Sequence, residues 1–127
     1  MLERGSRVNA AAICKSPAGA SAVLAQYDAQ LARWPVPCTM QAVPSRYGAT
    51  FVSASGNAAA PPLVLLHGAG SNSAMWAGDV AAYSQRYRVY AVDLLGEPGK
   101  SAPVRPDWPG PTYVEWQGDV LDALQVY

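Results

Sequence analysis

The chain has 127 residues and very little histidine: His67 is the only one. A catalytic imidazole therefore has one candidate, and a metal site built from several histidines is excluded. Cysteine is nearly as scarce. Cys14 and Cys38 form no Cys-x-x-Cys pair, which excludes dedicated zinc or thioredoxin-like motifs. A disulfide between them is the one bridge the chain allows, and cysteine usage gives no secretory signature. No apolar run reaches the length of about 18 residues that a membrane-spanning helix needs. Charge is low and balanced: nine basic and nine acidic residues cancel, and 14% of the chain is charged. Bulk electrostatics thus point neither to nucleic acid nor to an acidic lipid surface. Gly-x-Ser-x-Gly, the pattern of a strained nucleophile elbow, occurs nowhere in these residues. Arg4 and Arg7 precede a short apolar patch, but Ala10 to Cys14 is shorter than the core of a secretion signal. A cytoplasmic location is expected.

Apolar residues make up half of the chain, enough for the core of one domain. Residues 1–15 show no periodicity. Ser16-Pro17 reads as a helix start, and Leu24, Tyr27, Leu31 and Trp34 share one helical face up to the Pro35-Val36-Pro37 break. Cys38 to Val43 and Ala49 to Ser53 read as an antiparallel pair around the turn Pro44-Ser45-Arg46-Tyr47-Gly48. Leu63-Val64-Leu65-Leu66 is a continuous apolar run, as expected of a strand buried on both faces. It stops at His67-Gly68-Ala69-Gly70. Ser71 or Ser73 is the expected cap of a helix that places Trp76, Val80 and Tyr83 on one face. Arg88 to Val92 is the next strand, and Thr112 is the expected cap of a final helix with the face Tyr113, Trp116, Val120 and Leu124. Strand and helix alternate after residue 61, which implies a parallel α/β arrangement.

Several clusters invite a chemical reading. Gly68 and Gly70 begin a dinucleotide fingerprint, but Ser73 stands where the third glycine belongs. Such a turn still gathers backbone N–H groups for an anion. Gly99-Lys100-Ser101 ends like a phosphate-binding loop, yet Leu94 replaces the required glycine, and Pro98 removes a donor. Glu115, Asp119 and Asp122 form an acidic helical stripe, read as a solvated face rather than a cation site. His67 lies where active sites sit in open α/β sheets. It lacks a nucleophile on a strained turn, and Ser101, with Gly99 before it, is followed by Pro103. A loop-stabilising role for His67 is the better reading. Trp34, Trp76 and Trp116 fall on apolar helix faces and are assigned to packing; Trp108 lies in a loop.

Residues 62–101 combine into a larger pattern. A strand ending Leu65-Leu66-His67-Gly68-Ala69-Gly70 precedes Ser71-Asn72-Ser73-Ala74-Met75-Trp76. After it comes Val92-Asp93-Leu94-Leu95-Gly96-Glu97-Pro98-Gly99-Lys100-Ser101. This order resembles the N-terminal half of an α/β-hydrolase domain. The Trp34–Pro37 break, the 43–48 turn and Val120-Leu121-Asp122-Ala123-Leu124 extend the resemblance over residues 34–127, toward one bacterial branch of the family. Residues 1–33 form a leader and helix outside it.

The resemblance implies an antiparallel hairpin followed by parallel β-α-β-α, preceded by a helical extension. It implies an oxyanion-hole N–H at Ala69, with Gly68 and Gly70 shaping the turn. It makes His67 a loop-supporting residue, together with Asp93 and Gly96, and places Ser71 and Trp76 at the pocket rim. Two residues, Glu97 and Pro98, separate the glycines where the usual motif has one. The family's nucleophile, acid and base follow the last helix seen here, so none of the three is expected in this chain, and no metal or cofactor is expected either. The expectation is thus a piece of a serine hydrolase for esters or related acyl bonds, inactive alone and bound to neither nucleic acid nor membrane. The 63–66 strand should form an exposed apolar edge prone to self-association. Two alternatives stay open: a short non-catalytic or split-hydrolase module that needs a partner, and a nucleotide-binding module using loops 67–73 and 96–101.

Overall fold

The computed structural model describes residues 16–105 and 110–126. Cys14 and Trp108 lie outside the described residues. Helix α1 spans Pro17–Ala32 and starts as the sequence predicts: Ser16 Oγ accepts the Gly19 N–H at 3.0 Å, and Pro17 occupies the first turn. It buries Ala20, Tyr27 and Leu31.

Strands β1 (Cys38–Val43) and β2 (Thr50–Ser55) form the expected antiparallel hairpin, with Val43 opposite Thr50 and Cys38 opposite Ser55. Strand β3 (Pro62–Leu66) runs parallel to β4 (Arg88–Val92), and β4 pairs antiparallel with β2. The sheet order is β1-β2-β4-β3. It is a mixed α/β sheet, as the N-terminal portion of an α/β-hydrolase requires. β2 runs two residues beyond the predicted Ser53, because Ser53 and Ser55 pair with Ala91 and Val89 of β4 as well as with β1. That partner lies outside any local pattern.

Two cores flank the sheet. On one face Val43, Val52, Val92 and Leu95 pack with Trp116 and Val120 of helix α3 (Thr112–Leu124). On the other, Leu65, Val80 and Val89 pack with Trp34, Leu63, Trp76 and Tyr83. The predicted α3 face is the one that packs, with Tyr113 and Leu124 at its margin. Thr112, the expected cap, is instead the first helical residue, and Pro111 precedes it without a side-chain cap.

Three further expectations are corrected. β3 is not buried on both faces: only Leu65 is buried, and Leu66 stays 39% exposed, because β3 is the edge strand. The helix predicted after residue 71 divides into a 3-10 turn, Ser73–Trp76, and a short helix α2, Val80–Ser84. Its cap is Asn72, whose side chain accepts the Ala74 N–H at 3.0 Å. Two of the three residues in the acidic stripe, Glu115 and Asp119, do more than face solvent. Asp119 accepts from the Arg46 backbone N–H, Nε and Nη2 at 2.9, 3.0 and 2.9 Å, while Glu115 accepts from Arg46 Nη1 and from Tyr47 Oη at 3.2 and 2.5 Å. These bonds fasten the β1–β2 turn to α3. The Arg46 contacts hold the Asp119 carboxyl below its ordinary value.

Candidate active-site loop

The loops after β3 and β4 meet at the carboxyl ends of the two parallel strands, the usual ligand position in open α/β sheets. Asp93, immediately after β4, organises them. Its carboxylate is fully buried and has no cationic side chain among its hydrogen-bond partners. Four donors satisfy it instead. Tyr27 Oη lies 2.8 and 2.9 Å from its two oxygens, and the Ser73 N–H and O–H donate at 2.9 and 2.6 Å. The Lys100 N–H completes the set at 3.0 Å. Four donors match the lone-pair capacity of a carboxylate. Burial, then the adjacent Asp93 charge, raises the Tyr27 hydroxyl far above its ordinary value, so it remains a proton donor.

The other positions of the Asp93–Ser101 segment follow from this hub. A Cβ on Gly99 would lie 2.5 Å from Asp93 Oδ2. Gly96 adopts φ +70°, where a Cβ would meet Arg105 Cγ at 2.7 Å and Val104 O at 2.9 Å. Ser101 Oγ donates to the Asp93 carbonyl at 2.6 Å and accepts the Phe51 N–H at 2.9 Å, tying the loop to β2. The Lys100 N–H serves Asp93, and the Lys100 ammonium pairs with Asp28, so both donors of the segment that ends like a phosphate loop are engaged by carboxylates of this chain.

His67 is buried between the two loops. Its Nε2 accepts the Leu94 N–H at 2.9 Å, which leaves Nδ1 as the donor to Gly68 O at 2.8 Å. Both ring nitrogens thus hold backbone. The Gly68-Ala69-Gly70 turn that follows is exposed. Gly70 has φ +75° and donates its N–H to Glu97 Oε1 at 2.6 Å. Gly68 has no positive φ, and a Cβ there would meet nothing within 4 Å. The Ala69 N–H has no acceptor among the described residues. Asn72 Nδ2 donates to Pro98 O at 2.9 Å and clamps the first loop to the second.

A cleft of about 420 Å³ lies beside this turn, within the usual range for small-molecule sites. Gly70 and Ser71 line it. Trp76 does not: its ring packs in the second core, with an indole N–H that is buried and has no acceptor among the described residues. The structure therefore brings His67, Gly68, Ala69, Gly70, Ser71, Asp93 and Gly96 together and leaves Trp76 outside the cleft. Sequence reasoning missed Tyr27, Asn72, Glu97 and Gly99. Asn72 was findable, since asparagine ranks with serine as a helix cap. Tyr27 carried no local signal for a partner 66 residues away. Among the described residues no group of three or more His, Cys, Asp or Glu is placed to hold a metal ion, and no helix is long and apolar enough to cross a membrane.

The chain and its fold are similar to those of known proteins. The uncharacterized carboxylesterase nap of Bacillus subtilis (strain 168) is 44% identical over 100 residues, which cover 79% of this chain and 33% of the relative. The crystal structure of naproxen esterase (carboxylesterase NP) from B. subtilis matches with a TM-score of 0.75 and 44% identity, covering 80% of this chain and 35% of that one. Carboxylesterase CesB (YbfK), also from B. subtilis, matches with a TM-score of 0.77 and 39% identity over 83% of this chain and 37% of that one. The chain thus spans about a third of the length of the curated relatives it matches. The family model for the alpha/beta hydrolase family matches residues 63–126, from β3 through α3 and so across the whole Asp93 hub except Tyr27. On that match and on the shared fold, the chain belongs to the alpha/beta hydrolase family.

Proposed function

We propose that this chain supplies the oxyanion-hole portion of a carboxylesterase-like hydrolase acting on esters or related acyl bonds. The observation that carries the reading is the exposed Ala69 N–H, without an acceptor among the described residues, on a turn held from behind by His67 and beside an open cleft. Such a preorganised donor stabilises the charge that develops on a carbonyl oxygen as a tetrahedral intermediate forms. Asp93 and Gly96 shape the adjoining loop, and Ser71 lies at the rim. The nucleophile, its acid partner and its catalytic histidine are assigned to polypeptide other than these residues, since His67 is the only histidine and its ring nitrogens both hold backbone. The small-molecule acyl substrate is inferred from the carboxylesterase relatives.

The test has two arms. The chain alone should hydrolyse 4-nitrophenyl acetate no faster than its Gly68→Val variant, whose added Cβ would meet nothing within 4 Å. Joined to the part of nap beyond the aligned region, it should become active, and Ala69→Pro, which removes the N–H, should then lower kcat by about 100-fold or more. Activity of the chain alone that Gly68→Val removes would overturn the placement of the nucleophile elsewhere. A folded chimera whose rate ignores Ala69→Pro would overturn the oxyanion role.

A further inference from the structure

The cleft beside the Gly68–Gly70 turn is walled on its far side by α1, which lies outside the residues the family model matches. Val23, Gln26 and Gln30 face it from that helix at spacings of 3 and 4, while Ser71 and Met75 face it from the loop side. Met75 is 50% exposed, an unusual state for a large apolar side chain. Among the described residues, none that lines the cleft carries a charged side chain. Of the charges nearby, Asp28 pairs with Lys100, and the Glu97 carboxylate accepts the N–H of Gly70, a residue that lines the cleft. Tyr27, one turn of helix from Val23, fixes this wall by its bond to Asp93, so the wall and the turn share one anchor.

We infer that α1 is a specificity wall: Val23, Gln26 and Gln30, opposed by Met75 and Ser71, receive an uncharged, partly apolar group of the ester substrate and disfavour a carboxylated one. The inference rests on the ester-hydrolase reading for the name of its ligand. The physical ground is a lining that offers amide and hydroxyl partners plus apolar area and, among the described residues, no cation to compensate a buried carboxylate. A benzoyl-sized group fits the volume.

The experiment is an NMR titration of the isotope-labelled chain with three probes: methyl benzoate, acetophenone and methyl 4-carboxybenzoate. The two neutral probes should shift the Gly70 and Ser71 amides, the Gln26 side-chain amide and the Met75 methyl. The carboxylated ester should bind at least about five-fold more weakly. Val23→Trp, which fills the cleft, should abolish the shifts. Gln26→Lys, at an exposed position that leaves the fold alone, should reverse the preference toward the carboxylated ester. Shifts confined to Leu63–Leu66, equal affinity for charged and neutral esters, or indifference to both variants would overturn the wall. Acetophenone has no bond to cleave. Binding of both neutral probes with no hydrolysis of methyl benzoate by the chimera would remove the proposed function and leave the wall, whereas failure of both neutral probes removes the wall alone.

Discussion

Asp93 shows how one side chain joins distant parts of the chain. Its carboxylate collects donors from α1, from the 3-10 turn and from its own loop, and none of these donors is a cationic side chain. Removing one donor and removing the acceptor are therefore different experiments. Tyr27→Phe deletes a single hydrogen bond to a charged group and should cost about 1.5–3 kcal/mol in urea denaturation. Asp93→Asn turns an amide donor toward N–H and O–H donors and should cost more, about 3 kcal/mol or above. In the double variant the two losses should fall short of their sum, because both remove the same bond. Strict additivity would mean that the Tyr27–Asp93 contact contributes nothing. Asp93 was visible in the sequence as a motif position. That it needs Tyr27 was not, because sequence periodicity places Tyr27 only on an apolar face and is silent about the hydroxyl at its tip.

At the scale of elements, the readable parts were those with a local cause. The Ser16 cap, the alternation to the hairpin and the α3 face at Trp116 and Val120 all follow from neighbours a few residues apart. The errors share the opposite property. Trp76, Val80 and Tyr83 have helical spacing and do pack together, but Gly78 and Asp79 interrupt the helix between them, and packing alone does not reveal that break. The acidic stripe looked solvated because Arg46 lies more than 60 residues away in sequence. This ion network makes a pH prediction. Asp119 has its carboxyl held down by Arg46, so its stabilising effect is present above the ordinary value of 3.8 and fades as pH falls through the lower folded value. Melting curves of the parent and Asp119→Asn should differ by a constant amount above about pH 5 and converge below about pH 4. A gap that persists at low pH would assign the stabilisation to something other than the ionised carboxylate. Loop geometry makes a second prediction. Gly99→Ala should cost about 1–3 kcal/mol, since its Cβ would press on an Asp93 carboxylate that four donors hold in place. A neutral outcome would mean that the hub yields.

For the whole molecule, the sheet order decides the behaviour of the surface. β3 ends the sheet, and no strand among the described residues covers its outer side. Its apolar run, read in the sequence as a doubly buried strand, instead presents Leu66 at 39% exposure and leaves Leu63 and Val64 only partly covered. The misreading is physical: a continuous apolar run reports the need for burial, and only the sheet order reports whether the burial is met. An uncovered apolar edge carries unpaired N–H and C=O groups and acts as a template for another strand. We propose that this 127-residue chain self-associates through that edge. Sedimentation velocity should then show a weight-average mass that rises with concentration. Leu66→Lys, which sets a charge at an already exposed edge position, should suppress the rise without lowering the melting temperature. A mass that stays monomeric in the parent at high concentration, or an association indifferent to Leu66→Lys, would place the contact elsewhere. The cleft walled by α1 lies beside the Gly68–Gly70 turn and is not lined by β3. Self-association should therefore leave methyl benzoate binding unchanged, so the two surfaces can be measured independently in one sample.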